Sequence, residues 1–305
     1  MTAPNPVLKN ASILNSRRIH EGRHHLRPDP VVNALAKYSL AYAAERFDIL
    51  LYSHCSLSNH QHTTGFDPHG QHPLFRREFH SLMTRSVNCH RGTSEAKWSP
   101  NRKSPVILWD VESVLDEIAY SIANPCLHDL VDSPEEWPGF ISTIERLAGP
   151  PEWVRRPSVF YDQKGDLPEL VQLQFVKPPC VADWSDDEYR AEIVRRVDQK
   201  CRDARAQRRR ERRTVVGRVA VLDADPSDRA MTPLPLGELN PRVACKSVNL
   251  RIAILLWLKW FRLEHREARV AFESGEREVV FPFATYWHVL RYGVNCSTTG
   301  PPATM

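Results

Sequence analysis

Segments with helical and with extended hydrophobic periodicity alternate along the first half of the chain. Apolar residues that recur every three to four positions predict helices, and short apolar runs bounded by turn residues predict strands. The predicted elements are, in order, a helix at 31–46, a strand at 49–55, a strand that begins at His60, a helix at 74–88, a strand at 106–109 and a helix at 110–124. A first strand at residues 11–19 would complete the order, although polar residues at 15–18 make it a poor strand by pattern. This order is typical of a ferredoxin-like split βαβ fold. We therefore expect an α+β protein whose antiparallel sheet has helices on one face and leaves the other face free for a ligand.

The last of these helices places a tyrosine away from its apolar face. Its apolar positions form one stripe at helical spacing: Val111, Val114, Leu115, Ile118 and Ile122. Asp110 is a suitable N-cap, and Pro125 is expected to end the helix at Asn124 because it disfavours helical geometry in the residue before it. At about 100° per residue, Tyr120 lies nearly opposite the stripe. Asn124, one turn later, is expected to reach the same place.

The pattern changes after residue 150. Proline pairs at positions 150–151 and 178–179 mark linker-like stretches. We therefore divide the chain into a domain at residues 1–150, a proline-rich connector at 151–185 and a mainly helical, basic C-terminal extension at 186–305. Within the extension the predicted elements are helices at 186–218 and 248–273, a proline-rich loop at 223–242 and an extended segment at 279–283.

Six arginines lie within nine residues of the first helix of the extension. They are Arg205, Arg208, Arg209, Arg210, Arg212 and Arg213. Such a run is either a solvated helix face or an arm that follows phosphates, where each neutralised phosphate releases counterions. Because the net charge of the whole chain is only +4, this local concentration slightly favours a DNA-binding arm.

Composition narrows the class of protein. The 305 residues are 42% hydrophobic and 26% charged, as in ordinary globular proteins. No stretch approaches the roughly 20 apolar residues that span a bilayer, and no signal peptide is apparent. The seven cysteines include no Cys-x-x-Cys pair, which argues against a thiolate zinc site. We expect a cytoplasmic protein with reduced thiols and no membrane partner.

The strand that begins at His60 carries the candidate chemistry. His60 and His62 are two residues apart, so on a strand they project from one face, about 7 Å apart at the backbone. Two imidazoles on a rigid strand can converge on one divalent ion. The alternative is a pair of surface histidines on an edge strand.

A set of motifs resembles the insertion-sequence-200-like tyrosine transposases, in particular their REP-associated branch, within the His-hydrophobic-His superfamily of single-strand DNA nucleases. The matching segments cover roughly residues 20 to 150 in order. They are residues 57–62, 67–70, 73–75, 88–92, 118–125, 130–131 and 137–139. The chain departs from the pattern at Gln61, where the family usually has a hydrophobic residue that packs on the core. A buried amide at Gln61 needs a hydrogen-bond partner, or the sheet is weakened there.

The resemblance implies a reaction and the residues that perform it. Tyr120 would be the nucleophile of a single-strand DNA endonuclease and strand transferase that forms a 5′-phosphotyrosine on hairpin or palindromic DNA. His60, His62 and Asn124 would hold Mg²⁺ or Mn²⁺. The partner would be single-stranded or hairpin DNA, with a homodimer possible. The alternative is a nucleic-acid-binding protein that keeps this fold but has impaired cleavage; a metal hydrolase unrelated to DNA is less well supported.

Overall fold

Helices and short strands alternate along the whole chain. The computed structural model describes residues 4–100, 105–230 and 243–302. The strands are β1 (Ala11–Arg18), β2 (Leu50–Ser56), β3 (His60–Asp67), β4 (Val106–Leu108), β5 (Glu152–Arg155), β6 (Leu170–Leu173), β7 (Val243–Ala244), β8 (Val280–Phe281) and β9 (Asn295–Cys296). The helices are α1 (Pro30–Arg46), α2 (His72–Arg91), α3 (Val111–Leu127), α4 (Asp186–Arg210), α5 (Arg218–Asp223), α6 (Val248–Glu273) and α7 (Trp287–Tyr292). The predicted α+β class is confirmed.

A five-stranded sheet supports the rest of the molecule. Its strand order is β2-β3-β1-β4-β7, and every pair is antiparallel except β4 with β7. The polar segment around Asn15 does form the first strand, β1, as predicted. In its pairing with β3, Ser16 lies opposite His62 and Arg18 opposite His60. Directly opposite residues project from the same face of a sheet. Ser16 and Arg18 therefore share the face of the two histidines.

The expectation that helices cover only one face of the sheet is wrong. His54 on β2 pairs with Thr63 and contacts Phe79 of α2, so α2 covers the face opposite the histidines, and α1 packs on α2. Helix α3 lies on the other face, since the ring of Tyr120 contacts that of His62. The polar side of an amphipathic helix usually faces water. In α3 the apolar side is buried as expected, but the polar side packs on the sheet.

Gln61 finds a partner in a buried polar network on the α2 face. Its Nε2 donates to the hydroxyl of Ser56 at 2.9 Å, and that hydroxyl also bonds Nε2 of His54 at 2.8 Å. Nδ1 of His54 bonds the hydroxyl of Thr63 at 2.8 Å. Burial lowers the pKa of His54 to about 3, so its ring is neutral. The amide nitrogen of Gln61 is thus satisfied on the face opposite the histidines, while its buried amide oxygen has no hydrogen-bond partner among the described residues.

The far end of β3 is tied to the start of α2 by Asp67. This fully buried carboxylate accepts hydrogen bonds from the backbone N–H groups of His69, Gln71 and His72. It also accepts one from Nδ1 of His72 at 2.8 Å. A carboxylate that satisfies the free N–H groups of a first helical turn stabilises that helix. The histidine strand therefore has a rigid anchor.

Helix α3 does not end at Asn124 as predicted. It continues to Leu127 with Pro125 inside its last turn. A proline there removes only one helical hydrogen bond, and the N–H of His128 still bonds the carbonyl of Asn124 at 3.2 Å. The longer helix places His128 two turns after Tyr120.

The second half of the chain packs on the first. Helix α4 lies along α3, β7 extends the main sheet, and α6 buries Ile254, Trp257 and Leu258 against the β4 side of that sheet. Helix α4 ends at Arg210, not at residue 218 as predicted. The division at residues 150 and 185 stays a prediction; part of the proline-rich loop, 231–242, lies outside the described residues.

Strands β5 and β6 form a hairpin within the stretch predicted as a connector, and it packs on α1. Among the helices the structure describes, no helix is long and apolar enough to cross a membrane.

Candidate active site

The two histidines of β3 form a close pair with fixed rings. Their ring centroids are 5.0 Å apart. Nδ1 of His60 bonds Oδ1 of Asn59 at 2.6 Å, and Nδ1 of His62 bonds the hydroxyl of Ser16 at 2.5 Å. Groups that engage one ring nitrogen set the orientation of the other, which is how metal-binding histidines are positioned.

Tyr120 reaches this pair from α3. Its ring centroid is 5.5 Å from that of His62, with the rings nearly perpendicular. Burial and the nearby carboxylate of Glu117 raise the pKa of the Tyr120 phenol, and Asn124 opposes the shift. Glu117 lies one turn earlier, and burial and Asp116 raise its pKa as well. A carboxylate with a raised pKa is a better proton acceptor than an ordinary one.

Asn124 lies fully buried between these groups. Its amide lies close enough to His60 and Tyr120 to shift the pKa of each as a hydrogen-bond partner, although neither contact reaches full hydrogen-bond geometry. Burial holds the pKa of His60 well below its usual value, together with His62, His128 and Arg18, and the contact with Asn124 acts against them. A buried amide with only loose partners is costly, so it needs an explanation.

The residues present fit a divalent cation. Imidazoles and an amide oxygen are known ligand types, and the buried Asn124 amide lies beside His60 without full hydrogen-bond geometry. Across residues 4–100, 105–230 and 243–302, no group of three or more His, Cys, Asp or Glu side chains is arranged to hold a metal. A site here therefore depends on Asn124 as well as His60 and His62.

Two further basic groups border the site. Arg18 shares the face of His60 across the β1–β3 pair, and its charge lowers the pKa of His60 further. The Nε of Arg18 is buried without a hydrogen bond among the described residues. The ring of His128, which follows α3, lies 5.4 Å from that of His60. Both are placed where an anion bound at the histidines would be contacted.

The six arginines of the proposed arm divide into two groups. Arg205, Arg208 and Arg213 bind the loop after α3, through the Asp132 carbonyl or the carboxylates of Asp129 and Asp132. The other three are exposed and form no ion pair within the described chain: Arg209, Arg210 and Arg212. Arg208 is almost fully buried. Half of the run therefore holds α4 in place, and the other half faces solvent.

Comparison with known proteins gives one structural likeness. No family model matches the chain, and no curated protein matches its sequence. A REP-associated tyrosine transposase bound to a REP hairpin resembles the structure with a TM-score of 0.41 and 14% sequence identity. The likeness covers 55% of this chain and 93% of the transposase. Because the TM-score is below 0.5, the proposals that follow depend on the side-chain contacts described above.

Sequence reasoning placed Tyr120, His60, His62 and Asn124 together, and the structure brings these four side chains to one place. Their roles stay predictions. Sequence reasoning missed His128. Positions 120, 124 and 128 share one helical face, but Pro125 was expected to end the helix before His128.

Arg18 was also missed. No local signal identifies it, because only the pairing of β1 with β3 places it beside His60.

Proposed function

We propose that the protein is a metal-dependent single-strand DNA endonuclease and strand transferase that uses Tyr120 as its nucleophile. The observation that carries this proposal is the contact of the Tyr120 ring with His62, 5.5 Å between centroids, beside the buried amide of Asn124, which faces both His60 and Tyr120. A phenol, two imidazoles and a buried amide oxygen are suited to phosphodiester cleavage.

Each group has a defined task in this reaction. Mg²⁺ or Mn²⁺ held by His60, His62 and Asn124 would neutralise charge on the scissile phosphate. The phenol oxygen of Tyr120 attacks phosphorus, its proton passes to Glu117, and the bond to the 3′-oxygen breaks. The leaving oxygen takes up a proton and becomes a 3′-hydroxyl, while the 5′-phosphate stays on Tyr120. Attack by another 3′-hydroxyl reverses these steps and rejoins DNA.

One cation and one ring N–H donor border the site. Arg18 supplies positive charge beside His60, and His128, whose pKa is lowered by burial and by Arg18, would donate as a neutral ring; both would hold the non-bridging phosphate oxygens. The strand order β2-β3-β1-β4 agrees with a ferredoxin-like split βαβ unit, in which a rigid sheet carries the histidines. Because Tyr120 meets the histidines of its own chain, we propose a site assembled within one subunit. The homodimer and the cytoplasmic location remain predictions.

A covalent-adduct assay tests the proposal. We expect the purified protein to form a covalent complex with a labelled single-stranded hairpin in Mn²⁺, visible on a denaturing gel. Tyr120→Phe should abolish the adduct and retain hairpin binding, whereas Tyr42→Phe, which changes a tyrosine on α1, should leave the adduct unchanged. Hairpin binding without an adduct in the unmodified protein would support the impaired, binding-only alternative. An adduct that survives Tyr120→Phe would refute the assigned nucleophile.

A further inference from the structure

Helices α6 and α7 enclose a groove that no residue of the candidate active site lines. Its volume is about 900 Å³, and its walls come from residues 255–273 and 287–292, with Pro4 at one end. A groove of this size is large enough for a small ligand or for part of an extended polymer. The chemistry of its walls distinguishes these occupants.

One wall is a ridge of positive charge. Four cations lie at i, i+3, i+7 and i+10 on α6 and so share one side of the helix over about 15 Å. They are Lys259, Arg262, Arg266 and Arg269. The opposite wall adds Arg291. Glu273 is the one acid among the lining residues, and it is paired with Arg269 at 2.8 Å. The groove therefore carries a marked excess of positive charge.

The rest of the groove surface is aromatic and aliphatic. The side chains of Trp287 and Tyr292 are 42% and 59% exposed, and the guanidinium of Arg291 lies 5.7 Å from the Trp287 ring centroid. Leu263 and Val270 are exposed on the α6 side. Large aromatic side chains left open to solvent beside cations mark a binding surface.

Charge and shape select the occupant. A second copy of the chain seated here would bring two sets of cations together, which is unfavourable. A lipid surface is flat and would not enter a concave groove. Single-stranded nucleic acid matches both features, since its phosphates pair with a basic ridge and its bases stack on aromatic rings.

We propose that the groove between α6 and α7 binds single-stranded nucleic acid, with phosphates along the α6 cations and bases on Trp287 and Tyr292. This site goes beyond the proposed cleavage reaction, because it uses neither Tyr120 nor a metal. It would hold a strand independently of the histidine face.

Fluorescence anisotropy with a labelled 15-nucleotide oligo-dT tests the proposal. The full chain is used in EDTA, so that metal-dependent cleavage does not contribute. The double substitution Lys259→Gln and Arg266→Gln should raise Kd at least tenfold and reduce the slope of log K against log salt by roughly 1 to 2. Trp287→Ala with Tyr292→Ala should raise Kd at least about thirtyfold and leave that slope unchanged.

Matched controls separate this site from general charge effects. Arg155→Gln with Arg202→Gln removes the same charge from exposed positions elsewhere and should leave Kd within twofold of the unmodified protein. The groove variants should still form the Tyr120 adduct, and Tyr120→Phe should still bind oligo-dT, so the two proposals fail separately. Thermal melting checks that each variant is folded.

Three results would overturn the proposal. The first is an unchanged Kd in both groove variants, or an equal loss in the control. The second is competition by an oligoglutamate peptide as effective as that by oligo-dT, which would mean a site for acidic peptides. The third is a sedimenting dimer that Leu263→Glu dissociates, which would assign the groove to a second copy.

Discussion

Asn124 separates a catalytic from a structural interpretation at the level of one residue. Its buried amide makes only loose contacts with His60 and Tyr120, outside full hydrogen-bond geometry, so leucine, which is similar in size, removes a poorly satisfied polar group. We expect Asn124→Leu to raise the free energy of unfolding by about 1 kcal/mol. The same substitution should weaken Mn²⁺ binding at least tenfold and prevent adduct formation. Urea denaturation and calorimetric titration measure the two effects.

Asn33 provides the matched control. Its amide donates to the carbonyl of Pro138 at 2.9 Å and accepts from the N–H of Phe140 at 3.0 Å. Asn33→Leu should therefore lower the free energy of unfolding by about 1–3 kcal/mol and leave Mn²⁺ affinity unchanged. If Asn124→Leu instead lowers the free energy of unfolding and leaves Mn²⁺ affinity unchanged, Asn124 is a structural residue.

At the scale of elements, Asp110 joins α3 to the start of α6. It caps α3 by accepting from the N–H of Ser113 at 2.8 Å, and it also accepts from the N–H groups of Lys246 and Ser247. Burial alone would raise its pKa, but hydrogen bonds from Ser113, Cys245 and Ser247 outweigh it and lower the pKa from 3.8 to about 2. A folded-state pKa below the unfolded value stabilises the protein above the unfolded pKa.

We expect Asp110→Asn to lower the free energy of unfolding by about 1 kcal/mol at pH 7, because the helix N-terminus loses a negative charge. The difference should shrink as pH falls below about 4 and be lost as pH falls through about 2, since the native aspartate becomes protonated there and resembles asparagine. Denaturation at several pH values measures the difference, with Asp166→Asn, an exposed position outside any helix, as the control. A difference as large at pH 2 as at pH 7 would contradict the assignment of the effect to charge.

The arginine run gives a second prediction at this scale. Arg208 is almost fully buried and pairs with Asp129 at 3.1 Å and with Asp132, so it fixes α4 to the loop after α3. Arg208→Gln should lower the free energy of unfolding by about 2 kcal/mol. This is less than the loss from breaking a fully buried ion pair, because Asp132 is partly exposed. Arg210→Gln should change stability by less than about 0.5 kcal/mol. Thermal denaturation compares the stability of the two variants. Equal losses of stability would mean that burial does not distinguish Arg208 from Arg210.

At the scale of the whole molecule, the sheet and the C-terminal extension share a core. Trp257 of α6 lies 6.4 Å from Trp109, ring to ring, in a cluster that also contains Ile13 and Ile107. We expect Trp257→Ala to cost about 3–5 kcal/mol and the whole chain to unfold in one transition. Exposed Trp153→Ala should cost less than about 0.5 kcal/mol. Two separate transitions would instead support independent domains divided near residue 185.

Local patterns predicted most elements but not their relative placement. Hydrophobic periodicity located α6 at its observed bounds, because burial of one helix face repeats along the sequence. The face of the sheet that α3 covers was predicted wrongly, because both sides of that helix find partners only after the chain folds. The predicted end of α3 was wrong, because a proline in the last turn of a helix removes only one hydrogen bond and destabilises the helix little.

By itself, the sequence determined the candidate site residues: the histidine pair of β3 and a tyrosine with an asparagine one turn later. Spacing of two on a strand and four on a helix is a local property, so it can be read without coordinates. Only the tertiary structure decided that these groups meet, that Arg18 and His128 join them, and that half of the arginine run is held by the loop after α3. Those contacts link residues far apart in the chain, and strand register and helix packing set them.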